Sequence, residues 1–172
     1  FYSNAVADSP GPLAGIRVVE ATTTWAGPMC GCLLADFGAD VIKVEDPRGE
    51  IGRRSPPMLP GTDPPVSFMH ATVNRNKRSL VLDLKAKKGR AAMLKVVETA
   101  DVFFHNMRPR GVRSLGLSYE ELSAVNSRLI YCGAYGYRES GPYGHKPAYD
   151  DMIQAASGLA MLQGAIGDQP AY

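Results

Sequence analysis

Residues 16–45 run IRVVEATTTWAGPMCGCLLADFGADVIKVE, and the order of patterns in this stretch decides the fold. IRVVEA (16–21) is short and rich in β-branched residues, the composition of a buried strand. TTTWAGP follows as a loop. MCGCLLADF (29–37) is apolar enough for a helix, and Gly38 stands where such a helix would stop. VIKVE (41–45) is a second strand. Strand, loop, helix and strand in this order make a βαβ unit with parallel strands and a right-handed crossover.

The same alternation continues downstream. Residues 46–65, DPRGEIGRRSPPMLPGTDPP, form a loop longer than a simple connection needs, and such loops often cover a ligand. SLVLDL (79–84) is a strand. Residues 85–99 form a helix with Ala92, Met93, Val96 and Val97 on its inner face. DVFFH (101–105) is a strand and NMRPRG a turn. Ser118 and Glu121 have the spacing of a capping box at the start of another helix. RLIYCGAYG (128–136) is a further strand, and a last helix covers roughly 151–161. The expected class is α/β: a largely parallel sheet with flanking helices. Residues 1–14 form a polar N-terminal segment, and residues 15–172 a single α/β domain.

Composition narrows the function. Hydrophobic residues make up 45% and charged residues 21% of the chain, a globular mixture. A net charge of +2 is too small for nucleic-acid binding, although a local basic site for an anionic ligand is compatible with it. Cys30, Cys32 and Cys132 have neither zinc-knuckle nor redox-pair spacing, and their odd number argues against a disulfide framework. A reducing compartment follows, the cytoplasm first, with a mitochondrial or peroxisomal setting open in a eukaryote. No apolar stretch reaches the ~18 residues of a membrane span. The N-terminus shows no basic region followed by an apolar run, so no secretory signal is expected.

In a parallel sheet the ligand lies at the carboxyl ends of the strands. The loops there are TTTWAGP, EDPRGEIGRR, HNMRPRG and AYGYRESGP, the segments richest in Arg, Asn and Gly. No GxGxxG, Walker loop, HExxH or GxSxG is present. Arg48, Arg53, Arg54, Lys77, Arg78, Arg108 and Arg110 fall in loops or beside strand ends. They suit phosphates, or are solvated surface charge. The helix after TTTWAGP can offer its N-terminal amides to an anion. Trp25 either lines a pocket or anchors a core. Asn106 binds a ligand or caps a turn. His70, His105 and His145 do not cluster, and no metal site is expected. Asp150 and Asp151 open the last helix, where capping explains one and the helix dipole the other, or one of them serves as a catalytic carboxylate.

Several runs together resemble the family III coenzyme A (CoA) transferases, a superfamily that also holds the α-methylacyl-CoA racemases. They are PLAGIRVVE, WAGPMCGCLLADFGADVIKVEDPRG, NRNKRSLVLDLKAKKG, ADVFFHNMRPRGVRSLGLSYEEL, NSRLIY and GPYGHKPAYDDMIQAASGLA, in family order from Pro12 onward. The resemblance implies that residues 15–172 are the N-terminal part of a CoA-binding Rossmann-like large domain, with the small domain absent. The full protein would be an interlocked homodimer. Its substrates would be an acyl-CoA and a small carboxylic acid, with no permanently bound cofactor, no nucleic acid and no membrane among its partners. By position, Trp25 and Ala26 would lie near the coenzyme. Arg48 would lie near its phosphates, and Leu82, Leu84 and Lys85 around adenine and ribose. Asn106 and Met107 would line the groove, and Arg113 and Lys146 would supply further contacts.

In transferases of this kind an aspartate attacks the acyl-CoA thioester. An enzyme-bound anhydride forms, then an enzyme–CoA thioester. The resemblance places this aspartate in a Gly-Asp motif beyond Tyr172, with Asp168 too early. The racemases use instead an aspartate at the position of Asp150, within Gly-His-Asp. Here the run is Ala148-Tyr149-Asp150, and SYEELSAVN (118–126) lacks the partner histidine that two-base racemisation needs. A transferase is therefore expected, with a racemase or a non-catalytic CoA-binding module as alternatives.

Overall fold

A computed structural model of the chain describes residues 10–167. Five strands, β1 (Arg17–Ala21), β2 (Asp40–Glu45), β3 (Arg78–Val81), β4 (Val102–His105) and β5 (Ile130–Gly133), form one sheet. Their order is β3-β2-β1-β4-β5 and every pairing is parallel. The helices are α1 (Ala26–Asp36), α2 (Phe68–Val73), α3 (Lys87–Val97), α4 (Pro109–Ser114), α5 (Tyr119–Val125), α6 (Asp150–Ser157) and α7 (Leu159–Gly167). The expected parallel α/β sheet with flanking helices is thus observed. The described residues up to Met107, with Gly111–Ala134, form one compact unit. Arg108–Arg110 and the described residues from Tyr135 onward form a second.

The two faces of the sheet differ in chemistry. Val19, Ala21, Val44 and Phe103 point to one face and pack with Met93 and Val97 of α3 and Leu122 of α5. Each such fully buried side chain contributes on the order of 1.5–3 kcal/mol. Residues one step along each strand point the other way. There Val18 and Val41 meet Ala35, but the next positions are Glu20 and Lys43, which are opposite one another in register. Both are buried. Lys43 Nζ lies 3.0 Å from Glu20 Oε1, and Lys77 Nζ lies 2.7 Å from Glu20 Oε2. Thr22 Oγ1 donates to Glu20 Oε1 at 2.6 Å. The Lys77 ammonium also reaches Pro28 O and Asn74 Oδ1 at 2.6 and 3.0 Å. This charged cluster fits under α1 because Gly31 faces it: a Cβ there would fall 1.8 Å from Glu20 Oε2.

Several boundaries differ from the sequence expectation, each for a local reason. α1 begins three residues before Met29, at Ala26, and ends as expected near Gly38, whose φ is +96°. The strand expected over 79–84 is Arg78–Val81. Leu82 still donates to Glu45 O at 2.9 Å, but the chain then turns away. α2 was not anticipated, and Ser67 caps it by accepting from His70 N–H. The expected NMRPRG turn passes into α4, with Pro109 at its first position, where a missing N–H costs nothing. The single helix expected over 151–161 is split by Gly158 at φ +80° into α6 and α7. The capping box at Ser118 is present in both directions at α5. Residues 1–9 of the expected N-terminal segment lie outside the described residues, whereas Leu13 is tied to the end of α1 through Phe37 O at 2.9 Å.

Candidate active-site cleft

At the carboxyl ends of β1 to β4 lies a cleft of about 330 Å³. Ala21, Thr22 and Thr23 line it from β1 and the loop that follows. The segment Leu82–Lys85 lines it after β3, and Met107 and Leu115 line it after β4. Four carboxylates, Glu45, Asp46, Glu50 and Asp83, also face it. Three are already answered by cationic or donor side chains. Arg53 forks onto Glu45 at 2.6 and 2.7 Å. Burial pushes the Glu45 carboxyl up, but the Arg53 fork, the Glu50 N–H and the Lys43 charge together outweigh it and hold the group below the ordinary carboxylate range. Arg48 binds Asp46 at 2.8 Å, which lowers that carboxyl too. His70 Nδ1 lies 2.9 Å from Glu50 Oε1.

A second hollow of about 560 Å³ adjoins the first and shares Leu84, Lys85 and Leu115 with it. Its character is cationic. Lys85, Lys87, Arg90 and Arg113 line it with one acid, Glu121, which pairs with Arg90 at 3.2 Å. The hollow also takes in Ala86 and Lys87, the N-cap and first residue of α3. This helix start has no side-chain cap and no acidic residue in its first turn. The first-turn N–H groups, which have no intrahelical partner, and the positive dipole end therefore favour a bound anion.

The structure brings Leu82, Leu84, Lys85 and Met107 together in the cleft and Arg113 into the hollow beside Lys85. The other expected cofactor residues lie elsewhere. Trp25 and Ala26, at the start of α1, are exposed and do not line the cleft. The Arg48 side chain lies on Asp46 beside the cleft. Asn106 turns its amide onto Thr23, accepting from Thr23 N at 3.0 Å and donating to Thr23 O at 2.9 Å. Lys146 belongs to the second unit, with its ammonium 4.2 Å from the centre of the Tyr143 ring. Asp150, in the same unit, is exposed, and Gln154 Nε2 donates to its Oδ2 at 2.7 Å. The N-cap of α6 is Tyr149 rather than either aspartate, so both acids act from within the first turn. Asp168 lies outside the described residues. Among the described residues no group of His, Cys, Asp and Glu could hold a metal, and no helix is long and apolar enough to cross a membrane.

Sequence reasoning missed Thr22, Glu50, Asp83 and Leu115 in the cleft, and Lys87 and Arg90 in the hollow. The last two carried a signal, since a three-residue spacing at a helix start puts both on one face.

His105, buried at the end of β4, steadies the cleft wall from behind. Its Nδ1 accepts from Met107 N–H at 3.2 Å, so the ring proton sits on Nε2, 2.8 Å from Tyr131 Oη. Tyr131 in turn donates to Leu117 O at 3.1 Å. Burial drives the imidazole down from 6.5 to about 4. Above pH 6.5 neither the folded nor the unfolded state carries charge at this site, and stability is full. As pH falls from 6.5 toward about 4, the unfolded chain takes a proton that the folded ring refuses, so stability drops. Urea unfolding at about pH 7.5 and 4.5 should show a pH-dependent loss smaller by about 2–3 kcal/mol in His105→Gln than in the native protein. Equal losses in the two proteins would contradict this assignment.

A sequence model of the family described as CoA-transferase family III matches residues 13–172. The chain is 43% identical over 164 residues to the succinate–glutarate CoA-transferase of Agrobacterium fabrum, a match covering 92% of this chain and 41% of that protein. It is 41% identical over 155 residues to the acetyl-CoA:oxalate CoA-transferase of Acetobacter aceti, covering 90% of this chain and 39% of that one. Its structure superposes with a TM-score of 0.83 on the crystal structure of a CAIB/BAIF family protein from Brucella suis. That pair is 39% identical, over 88% of this chain and 40% of the other. The chain thus spans about two fifths of the length of these relatives.

Proposed function

Since the chain belongs to CoA-transferase family III, we propose that it supplies the coenzyme-binding part of an enzyme that moves CoA between an acyl-CoA and a small carboxylic acid. The observation that carries this is the junction at Leu84, Lys85 and Leu115. A mostly apolar cleft there passes directly into a cationic hollow at a helix N-terminus. A ligand with flat and aliphatic parts joined to phosphates fits both. Leu82, Leu84 and Met107 face the nucleoside and pantetheine. Lys85, Lys87, Arg90 and Arg113 face the phosphates, with Arg48 at the margin. Trp25, Ala26 and Lys146 are assigned to the coenzyme on the resemblance alone.

The names of the relatives support the reaction class: one acts on succinate and glutarate, another on acetyl-CoA and oxalate. Transfer proceeds by attack of an aspartate carboxylate on the thioester carbonyl, expelling CoA as thiolate and leaving a mixed anhydride. The thiolate then attacks the enzyme's carbonyl, releasing the first acid and leaving an enzyme–CoA thioester. The incoming acid reverses these steps. We place that aspartate beyond Tyr172, in a Gly-Asp motif, in an interlocked homodimer whose large domain begins with residues 15–172. Three cysteines without a disulfide suit a reducing, cytoplasmic setting.

The test is exchange of CoA among acyl-CoA and free dicarboxylic acids by the intact protein, followed by chromatography. Transfer with ping-pong kinetics is expected. Binding of CoA without transfer would favour a non-catalytic module, and epimerisation of a 2-methylacyl-CoA would favour a racemase acting through Asp150. Neither alternative gains from the exposed, Gln154-bonded state of that carboxylate.

A further inference from the structure

We propose that Glu50 is a positioning residue for the cleft: its buried carboxylate holds the loop after β1 in the conformation that forms the cleft floor. The inference rests on the assignment of that cleft to CoA. Thr22 and Thr23 line the cleft, and Thr24 follows at φ +75°. That left-handed conformation is unfavourable for a β-branched residue, so the loop has to be held there. Two side chains hold it, from two different strand ends. Asn106, after β4, takes both backbone polar groups of Thr23. Glu50, after β2, accepts the N–H of Thr24 through Oε2 at 2.9 Å.

The other oxygen of Glu50 lies 2.9 Å from His70 Nδ1 on α2. A carboxylate only accepts, so the ring donates from Nδ1, and the Asn74 amide nitrogen, 3.1 Å from that same atom, donates instead to His70 O at 2.9 Å. Glu50 therefore ties the loop after β1 to α2, across the wall of the cleft. It is itself steadied from below, its N–H lying 3.4 Å from Glu45 Oε2, the carboxylate that Arg53 grips. Glu50 is 6% exposed while Thr24 is exposed, so the carboxylate is a fixed acceptor where water would be a mobile one. Removing the carboxylate replaces that fixed acceptor by mobile water and lets Thr24 relax toward negative φ, which reshapes the floor.

A glutamine at this position can do the same work. Its oxygen accepts from Thr24, and its amide donates to His70 once the ring proton moves to Nε2. An alanine cannot. The test uses the intact protein and two readouts: amide exchange of the peptide spanning Thr22–Trp25, and CoA affinity by calorimetry. Glu50→Ala is expected to speed exchange at Thr24 by about tenfold or more and to weaken CoA binding about tenfold, with KM for acyl-CoA rising more than kcat falls. Glu50→Gln should stay within about threefold of the native protein. Adding Thr24→Gly to Glu50→Ala should recover part of the affinity, because glycine adopts positive φ freely.

If Glu50→Ala does not fold, Glu50→Asp carries the same test, since a chain one methylene shorter cannot span Thr24 and His70. Native exchange at Thr24 with affinity within about twofold in Glu50→Ala would overturn the proposal. A native protein that does not bind CoA would overturn the assignment of the cleft instead, and exchange at Thr24 would still decide the role of Glu50.

Discussion

The Glu20→Ala protein is expected to be less stable than the native one by about 3–5 kcal/mol. Glu20 is fully buried and faces two ammonium groups, Lys43 at 3.0 Å and Lys77 at 2.7 Å, each with a side chain only 2% exposed. Their mutual attraction is not the source of this number, because desolvating three charges costs nearly as much as pairing them returns. The cost arises when one partner leaves. Two cations then remain in a site that water does not reach. Lys77 already has its pKa pushed down by burial, with Glu20 opposing that shift. Without Glu20 nothing comparable opposes the downward push of burial on this ammonium, and that lost compensation sets the scale of the loss. Chemical denaturation measures it. A midpoint displaced by less than about 1 kcal/mol would show that the cluster is hydrated or already neutral.

Reversing two charges in the hollow, Lys85→Glu with Arg113→Glu, is expected to weaken CoA binding by about a hundredfold or more. Each charge-assisted hydrogen bond to a phosphate contributes about 1.5–3 kcal/mol, and the new carboxylates repel the ligand as well. Both side chains are exposed, so the fold should be unaffected. A control with the same change in net charge, Lys95→Glu with Arg128→Glu, alters two exposed residues that line neither cavity. It should stay within about threefold in affinity, because neither residue lines the hollow and salt screens exposed charges that make no direct contact. Equal losses in the two double variants would mean that overall charge, not the hollow, governs binding.

The fold was legible wherever apolar pattern and turn residues agreed. IRVVEA, VIKVE and DVFFH are central strands because β-branched and aromatic residues fill both faces of a parallel sheet. What the pattern could not reveal was the depth of Glu20 and Lys43. Each is a single charge in an apolar run, and only the register that sets them opposite one another makes burial affordable. The short α2 was hidden because FMHATV follows a proline-rich loop and is too brief for a helical period to show. The break at Gly158 was hidden because a lone glycine in a helical pattern is as often tolerated as not.

The site divides in the same way. Leu82, Leu84, Lys85 and Met107 were named through the family resemblance alone, and the structure sets all four in one cleft. Glu50 was not, because its role depends on the left-handed Thr24 and on His70, brought near by a loop whose course no local pattern specifies. Asn106 was singled out, but its side chain faces the backbone of Thr23.

The most direct test of the central claim is amide hydrogen exchange of the intact protein with and without saturating CoA. Binding in the joined cleft and hollow predicts slowed exchange in two segments, Leu82–Arg90 and Met107–Gly116, with the sheet interior unchanged. Protection confined to other segments, or none in these two while CoA is bound, would contradict the account.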